Sequence, residues 1–411
     1  MSERYFQHTL SNGLVLLGER MSGVQSAAMT LLVPAGVAVD PKGGCGTSTV
    51  LSDLVLRGAG ARSSRELVDY LDSLGLQRSS SVGIYHTRFS AAAMADRVME
   101  GLSAYADVVQ RPHMGEEDFL AARDLALQAL EGMDDEPRQK VFILLRQWHF
   151  PWPFGRNTMG EKRDLTKLTA DACRTYQQKS YQAKGAILAM AGRIDFDALV
   201  GQAEKHFGQW ASTAEKPIKT VLPKSLVHHE RHPSEQTHIG IAWPSVEETH
   251  GDYYLMRLAT EVLGGGMSGR LFTEVREKRA LVYSVWAGYS SIKGSGSILG
   301  YAGTSNDRAQ ATLDTFIAEA RRLSEGVTAG ELDRAKVGLK AATIMQLEST
   351  SSRCGSIAHD FFMRGRIRTL DEIKGSIDSV TLGQVNEFLK RTPPGPFTIV
   401  TVGPKQLKVP A

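Results

Sequence analysis

The sequence lacks several features that would point to particular classes of protein. Only three cysteines occur in 411 residues, and Cys45, Cys173 and Cys354 are far apart and odd in number. They form no C-x-x-C pair and no disulfide framework, so a reducing compartment is expected. No apolar run is long enough to span a membrane, and the first residues lack the apolar core of a signal peptide. We therefore expect a cytoplasmic protein, unless a presequence has been removed.

A strong excess of one charge is also missing. The chain has 48 Lys and Arg against 45 Asp and Glu, which gives a net charge of +3, and both signs are mixed along its length. Nucleic-acid-binding proteins usually carry a basic patch or stripe, so neither nucleic acid nor a membrane is expected as a partner. The composition, 42% hydrophobic and 23% charged, is that of a globular protein. The length predicts two domains of about 200 residues each.

Two halves of the chain repeat one order of elements, strands first and long helices after them. In the first half we predict strands at 13–19, 27–36 and 79–93, and helices at 48–56, 64–74, 95–109 and 116–134, the second of them opening with Ser64 and Glu66. In the second half we predict a strand at 237–244, a helix at 251–263, strands at 281–303 and helices at 307–324 and 329–348. This pattern predicts an α+β fold of two homologous domains, each a largely antiparallel sheet flanked by helices. The predicted domains are 1–212 and 225–411, joined by a linker at 213–224 that is rich in Lys, Thr and Pro.

Four stretches, spread over nearly the whole chain, resemble one known family. They lie at 10–14, 46–58, 123–137 and 263–284, and the last is the longest and most specific. Together they resemble the pitrilysin/insulinase-type zinc peptidases with the inverted H-x-x-E-H motif, in the branch that includes mitochondrial processing peptidase. The resemblance implies the two-domain, processing-peptidase-like α+β fold of that family.

The resemblance also shows which catalytic groups are missing. The two His ligands of the family fall on Thr49 and Asp53, its general-base Glu falls on Ser52, and its third ligand falls on Ala129. Catalytic zinc needs three protein ligands and an open water position, so no metal site is expected in this chain. The chain is therefore similar to the non-zinc-binding subunit of a bacterial-type heterodimeric peptidase. Zinc would be held by a homologous partner subunit that bears H-x-x-E-H.

A second functional element of the family survives. The family's Arg and Tyr, which face the substrate from the domain without zinc, fall on Arg276 and Tyr283, and its glycine-rich, substrate-binding loop falls on Gly264, Gly265 and Gly266. A guanidinium and a phenol can both donate hydrogen bonds to a carbonyl oxygen that becomes an oxyanion. The family's Asn-Ala-x-Thr edge strand, by contrast, has become serine-rich at 79–82.

Simpler interpretations exist for each of these features. Residues 49–53 could only start a helix, the basic run at 276–279 could be a solvated face, and the glycines could merely end a helix. His228, His229, His232 and His238 match no zinc-ligand spacing. The aromatic run at 148–156 is interpreted as structural.

Two functional hypotheses follow. In the first, the chain is the zinc-free subunit of a heterodimeric metallopeptidase that cleaves unstructured peptides, with Arg276 and Tyr283 acting in trans. In the second, it is a non-peptidase scaffold or assembly protein of the same fold, like the core subunits of the respiratory cytochrome bc complex. A co-transcribed homologue with H-x-x-E-H would favour the first hypothesis.

We predict that the purified, tag-free chain binds no zinc through Thr49, Asp53 or Ala129, because no nitrogen ligand remains at these positions. Metal analysis of the protein after dialysis against zinc measures this directly. Stoichiometric zinc that is lost in an Asp53→Ala variant would contradict the prediction.

Overall fold

The computed structural model describes residues 4–213, 218, 223 and 225–409, without the side chains of Asp134 and Leu347. Most of the predicted linker, 213–224, lies outside the described residues. The elements up to that point are β1 (Tyr5–Thr9), β2 (Val15–Arg20), β3 (Ser26–Val33), α1 (Thr47–Leu54), α2 (Ser64–Ser73), β4 (Gln77–Val82), β5 (Thr87–Met94), α3 (Ala95–Gln110), α4 (Glu116–Glu131), α5 (Pro137–His149), α6 (Lys162–Leu165), α7 (Ala170–Ser180), β6 (Ile187–Gly192) and α8 (Phe196–Phe207). After it come β7 (Val227–Arg231), β8 (Gln236–Ser245), α9 (Tyr253–Gly264), a π-helical segment (Phe272–Glu277), β9 (Val282–Ile292), β10 (Ser295–Ser305), α10 (Ala309–Arg322), α11 (Ala329–Leu347), α12 (Thr350–Arg364), α13 (Leu370–Asp378), α14 (Leu382–Arg391) and β11 (Thr398–Gly403).

The strands form two sheets that share one topology over five strands, and the first sheet has β1 in addition. The first has the order β1-β2-β6-β3-β5-β4 and the second the order β7-β11-β8-β10-β9. Each sheet contains one parallel pair, β2 with β6 and β7 with β11, while its other pairs are antiparallel. In the first sheet β4, which follows β3 in sequence, lies at the edge, and β5 lies between β3 and β4. In the second sheet β9, which follows β8, lies at the edge, and β10 lies between β8 and β9. The predicted α+β fold with two largely antiparallel sheets is therefore confirmed.

The chain forms two compact units that interleave along the sequence. One comprises 1–131, 156–218 and 346–367, and the other comprises 132–155, 219–345 and 368–411. Each unit thus contains one helix from the opposite half of the chain, α12 in the first unit and α5 in the second. The sequence pattern predicts consecutive domains and does not reveal this exchange, because an amphipathic helix does not show which sheet it covers.

In the first unit, α12 packs on β3, β6 and β2. Cys354, Ile357 and Ala358 are buried there against Leu17, Ala28, Ile187, Ala189 and Ala191 of the sheet. The opposite face of the same sheet is covered by a larger apolar core that includes residues of α1, α3 and α8. All six residues of β6 are consequently buried, as expected for a strand with apolar cover on both sides.

A buried ion pair fixes α12 on this sheet. Arg353 and Glu19 are almost completely inaccessible to solvent, and Arg353 Nε donates to the Glu19 carboxylate. Arg353 Nη2 also donates to the Tyr5 hydroxyl at 3.2 Å, and Arg4 Nε donates to Glu19 Oε1 at 3.0 Å. The buried charges of Arg353 and Glu19 are therefore paired within the protein. A buried charge without such a partner would strongly destabilise the fold.

In the second unit, α5 packs on β11 and β8, with Val141 and Leu145 fully buried against Val400, Val402, Ala242 and Tyr301. His149, the last residue of α5, is completely buried. Its Nδ1 lies 3.0 Å from Thr398 Oγ1 and its Nε2 lies 2.9 Å from Ser297 Oγ. Burial, with a smaller effect from Arg146, lowers the pKa of His149 to about 4.

The elements differ from the sequence prediction in two local details. The N-cap of α2 is Ser63 and not Ser64, because Ser63 accepts from the Glu66 backbone while the Glu66 side chain accepts from Ser63 in a capping box. The predicted strand at 79–93 is a hairpin of β4 and β5, and the chain reverses direction at residues 83–86 between them.

We predict that Arg353→Met destabilises the first unit by about 3 kcal/mol, because Glu19 then keeps a buried charge without its principal partner. Removing both charges in Arg353→Met/Glu19→Leu should restore most of this stability. Urea unfolding of the two variants and the wild type measures the difference. A double variant as unstable as the single one would show that the packing of α12, and not the charge, is responsible.

We predict that the second unit loses stability as the pH falls from 6.5 towards 4. The pKa of His149 is lowered from 6.5 to about 4 by folding, so its stabilising contribution is present above pH 6.5 and is lost through this window. The loss amounts to about 3 kcal/mol, since one pKa unit corresponds to about 1.4 kcal/mol. Unfolding midpoints measured over this range should fall less steeply in His149→Gln. Equal slopes in the variant and the wild type would contradict the prediction.

Candidate functional site

The helix that corresponds to the family's metal-binding helix is α1, and its start is fixed by Asp40. The Asp40 carboxylate accepts from the backbone N–H groups of Gly46 at 2.9 Å and Ser48 at 3.0 Å. Burial raises the pKa of Asp40 to about 6, and the two backbone hydrogen bonds partly oppose this rise. The helix therefore keeps its place although its ligand residues have changed.

At the former ligand positions the polar atoms bond to the protein itself. Thr49 Oγ1 donates to the carbonyl oxygen of Thr158 at 2.6 Å, and Ser52 Oγ donates to that of Thr49 at 2.8 Å. Asp53 forms an ion pair with Arg57 at 2.6 Å. Two hydroxyls and one paired carboxylate do not fit zinc, which prefers His nitrogen, thiolate and free carboxylate.

The downstream helix that should supply the third ligand is α4, and it packs against α1 as the resemblance implies. Ala129 is exposed on α4 and carries no donor atom. Glu131 pairs with Lys162 at 2.7 Å. In the described part of the chain, no group of three or more His, Cys, Asp or Glu side chains is arranged to hold a metal ion.

The histidines near residue 230 have structural partners instead. His228 stacks on Trp148 with ring centroids 4.7 Å apart, and His229 Nδ1 lies 2.9 Å from Thr401 Oγ1. His238 Nδ1 lies 2.8 Å from the Tyr301 hydroxyl.

The glycine loop of the second unit follows α9. A Cβ atom at Gly264 would lie 2.4 Å from the backbone nitrogen of Ala287, so only glycine allows α9 to approach β9 this closely. Gly266 has a φ of +69° and open space around its Cβ position, and the adjacent Met267 is 76% exposed. The loop is thus a surface feature beside β9, the edge strand of its sheet.

Arg276 and Tyr283 lie together next to this loop. Arg276 belongs to the π-helical segment, and its guanidinium carbon lies 4.8 Å from the ring centroid of Phe272 and 5.2 Å from that of Tyr283. Such cation–π contacts hold a guanidinium over aromatic rings without using its N–H donors. Tyr283 is 83% exposed on β9.

The charges around Arg276 leave it without a carboxylate. Glu274 binds both neighbouring cations, Lys278 at 2.7 Å and Arg279 at 2.8 Å, and these hydrogen bonds lower the pKa of Glu274. Within the described residues, neither the guanidinium of Arg276 nor the hydroxyl of Tyr283 has a hydrogen-bond partner. The site therefore presents free hydrogen-bond donors from a cation and a phenol.

An ion pair that the sequence analysis missed connects the start of the helical turn before Arg276 to α11. Arg270 binds Glu331 through two hydrogen bonds of 2.7 and 3.0 Å and donates to the carbonyl oxygen of Gly326 at 2.9 Å. These bonds, with those from Thr328, lower the pKa of Glu331 to about 2. The sequence analysis also did not identify Phe272 as a neighbour of the Arg276 guanidinium, although residues four positions apart are neighbours on a helix.

Comparison with known proteins places the chain in a family. A family model described as Insulinase (Peptidase family M16) matches residues 15–160, and one described as Peptidase M16 inactive domain matches residues 167–339. Together these ranges include well over half of the chain. The chain therefore belongs to the M16 peptidase family, which confirms the resemblance to the pitrilysin/insulinase-type peptidases.

Individual relatives agree with this assignment over their full length. The uncharacterized zinc protease YmxG of Bacillus subtilis is 26% identical over 406 residues, which cover 97% of this chain and 98% of the relative. The crystal structure of a peptidase M16 inactive domain from Pseudomonas fluorescens has a TM-score of 0.90 at 20% identity, covering 99% of this chain and all of that one. A protease from Helicobacter pylori has a TM-score of 0.86 at 19% identity, covering 97% and 99% of the two chains. These two structures support the fold.

No helix among the described residues is both long and apolar enough to cross a membrane.

Proposed function

We propose that this chain is the zinc-free subunit of a heterodimeric metallopeptidase and that it contributes Arg276 and Tyr283 to catalysis in trans. The observation that carries the proposal is the pair itself. A guanidinium and an exposed phenol lie side by side, and neither donates to any described part of the protein. Two free donors on a fixed backbone suit an acceptor supplied from outside, such as a peptide carbonyl.

The peptide would be held in an extended conformation. An exposed sheet edge binds an extended peptide through main-chain hydrogen bonds, which tolerate many sequences. Both β4 and β9 are edge strands, and β9 carries Tyr283. Of the glycines at 264–266, Gly264 and Gly265 allow close packing within the protein, and Gly266, with open space around its Cβ position, would let the peptide backbone approach closely.

In the chemical step, the two donors would act on the scissile carbonyl oxygen. Attack of water turns this oxygen into an oxyanion, and donors placed in advance stabilise the new charge more strongly than the original carbonyl. The homologous H-x-x-E-H-bearing partner would supply the metal that activates the water. The guanidinium of Arg276 is permanently charged, and its contacts with the rings of Phe272 and Tyr283 would hold it in place before the substrate arrives.

The second candidate function is a scaffold or assembly protein without peptidase activity. The substitution of every ligand position, with Thr49, Ser52 and Asp53 all bonded within the protein, is the observation that favours it. A scaffold has no need of an exposed Arg–Tyr pair with free donors, and for this reason we place it second.

We predict that Arg276→Ala and Tyr283→Phe each lower the turnover of the complex with its partner about a hundredfold. Removing one oxyanion donor costs about 3 kcal/mol in the transition state. Arg279→Ala is the matched control, since it removes a nearby cation that is already bound by Glu274. Steady-state kinetics on unstructured peptides, with subunit association checked by size-exclusion chromatography, give the result. Full activity in both variants would mean that the pair is structural and that the scaffold function is preferred.

A further inference from the structure

A carboxylate without a protein partner lies directly beneath the glycine loop. Glu261 is in the last turn of α9, and its backbone carbonyl oxygen accepts from Gly265 N–H at 2.7 Å. Its side chain is half-buried, and among the described residues the carboxylate accepts no hydrogen bond and forms no ion pair. A partly desolvated carboxylate in this state is a candidate binding group.

Two glycines leave the space that this carboxylate occupies. A Cβ atom at Gly265 would lie 2.3 Å from the Glu261 carboxyl carbon, and one at Gly338 of α11 would lie 3.3 Å from its Oε1. Any larger residue at Gly265 would displace the side chain. The carboxylate lines a cavity of about 80 Å³ that is also lined by Ser268 and Arg334.

The charged groups around the cavity are Arg257, Glu331 and Arg334. Arg257 donates to the Tyr253 hydroxyl at 3.0 Å, and Glu331 is held by Arg270. Arg334 lines the cavity but is not paired with Glu261. Burial raises the pKa of Glu261, and the charge of Arg257 opposes this rise.

We propose that Glu261 is a specificity-determining residue that receives a cationic group, an ammonium or a guanidinium, of a peptide bound at the glycine loop. The inference rests on the proposed function, because it assigns a substrate preference to the same loop. A single water molecule needs only about 10–15 Å³ of cavity volume, so the cavity has room for one cationic head group. The carboxylate supplies the charge, and the two glycines leave room for it beside the loop.

The test measures binding of three unstructured peptides to the isolated chain by fluorescence anisotropy. One has a single lysine and an acetylated N-terminus, one has a free N-terminus and norleucine in place of lysine, and one has neither cation. Glu261→Gln should weaken binding of at least one cationic peptide about tenfold, corresponding to about 1.4 kcal/mol, and leave the neutral peptide unchanged. The cationic peptide that is affected identifies the source of the group.

Two further variants separate charge from shape. Glu325→Gln removes one exposed negative charge outside the cavity and should change nothing. Gly338→Ala keeps every charge but narrows the space at the carboxylate, so it should weaken the same cationic peptide. The inference is overturned if Glu261→Gln binds all three peptides as the wild type does, or weakens all three equally. It is also overturned if Arg334→Gln and Glu261→Gln have the same effect and the double variant shows no further loss, since Arg334 would then be the natural partner.

A second measurement distinguishes this inference from the proposed function. Butylammonium and butylguanidinium are titrated into the isolated chain and followed by saturation-transfer NMR, with Glu261→Gln as the reference. Binding that requires Glu261, together with a complex that cleaves no peptide, supports the cation site and rejects the peptidase role. Cleavage without preference for basic peptides, together with no binding of either cation, rejects the site and leaves the peptidase role intact.

Discussion

Each sheet of this protein has two apolar faces that must be buried, and on one of them the helix that buries it comes from the opposite half of the chain. The central strands β3 and β6 are buried almost throughout, so the first sheet would expose a large apolar surface without α12. The second sheet depends in the same way on α5, which buries Val141 and Leu145 against β8 and β11. The two covers differ in their polar contacts. An ion pair of Arg353 and Glu19 fixes α12, whereas a neutral His149 between two hydroxyls fixes the end of α5.

The candidate site depends on which cations of residues 270–279 form ion pairs with carboxylates. Glu274 binds Lys278 and Arg279, and Glu331 binds Arg270, so two carboxylates account for three of the four cations. The remaining cation, Arg276, makes cation–π contacts with two rings, and its side chain has no hydrogen bond or ion pair among the described residues. On α1 the opposite has happened, because every polar side chain that replaces a catalytic group is bonded within the protein. The positions that match the family's metal site are thus bonded within the protein, while Arg276 and Tyr283 offer free donors.

Local elements could be predicted from the sequence, and long-range pairings could not. The apolar run at 27–36 predicted β3 within three residues, and the cap-like Ser64 and Glu66 predicted α2 within one residue, because these signals act between near neighbours. Glu19 is a charged residue in a strand, and its partner Arg353 lies 334 positions away, so no local pattern connects them. The closeness of Arg276 and Tyr283 could be expected only from the family resemblance, since seven residues that cross from a helical segment into a strand have no fixed geometry. The unpaired carboxylate of Glu261 depends on Gly338, in a different helix, and spacing gives no sign of that contact.

The exchanged helices also bear on how a protein of this kind can originate. The two sheets share one topology over five strands, and α5 and α12 each follow the second of two long helices after the hairpin of their own half, so the halves have the form of a duplicated unit. A single half-length chain of this design would leave one sheet face without its helix. Two copies could remedy this by lending each other that helix, which is domain swapping. A tandem fusion of such a swapped homodimer would give the connectivity seen here. Each half would then be free to change its surface residues separately, provided that both continued to supply the helix on which the other depends.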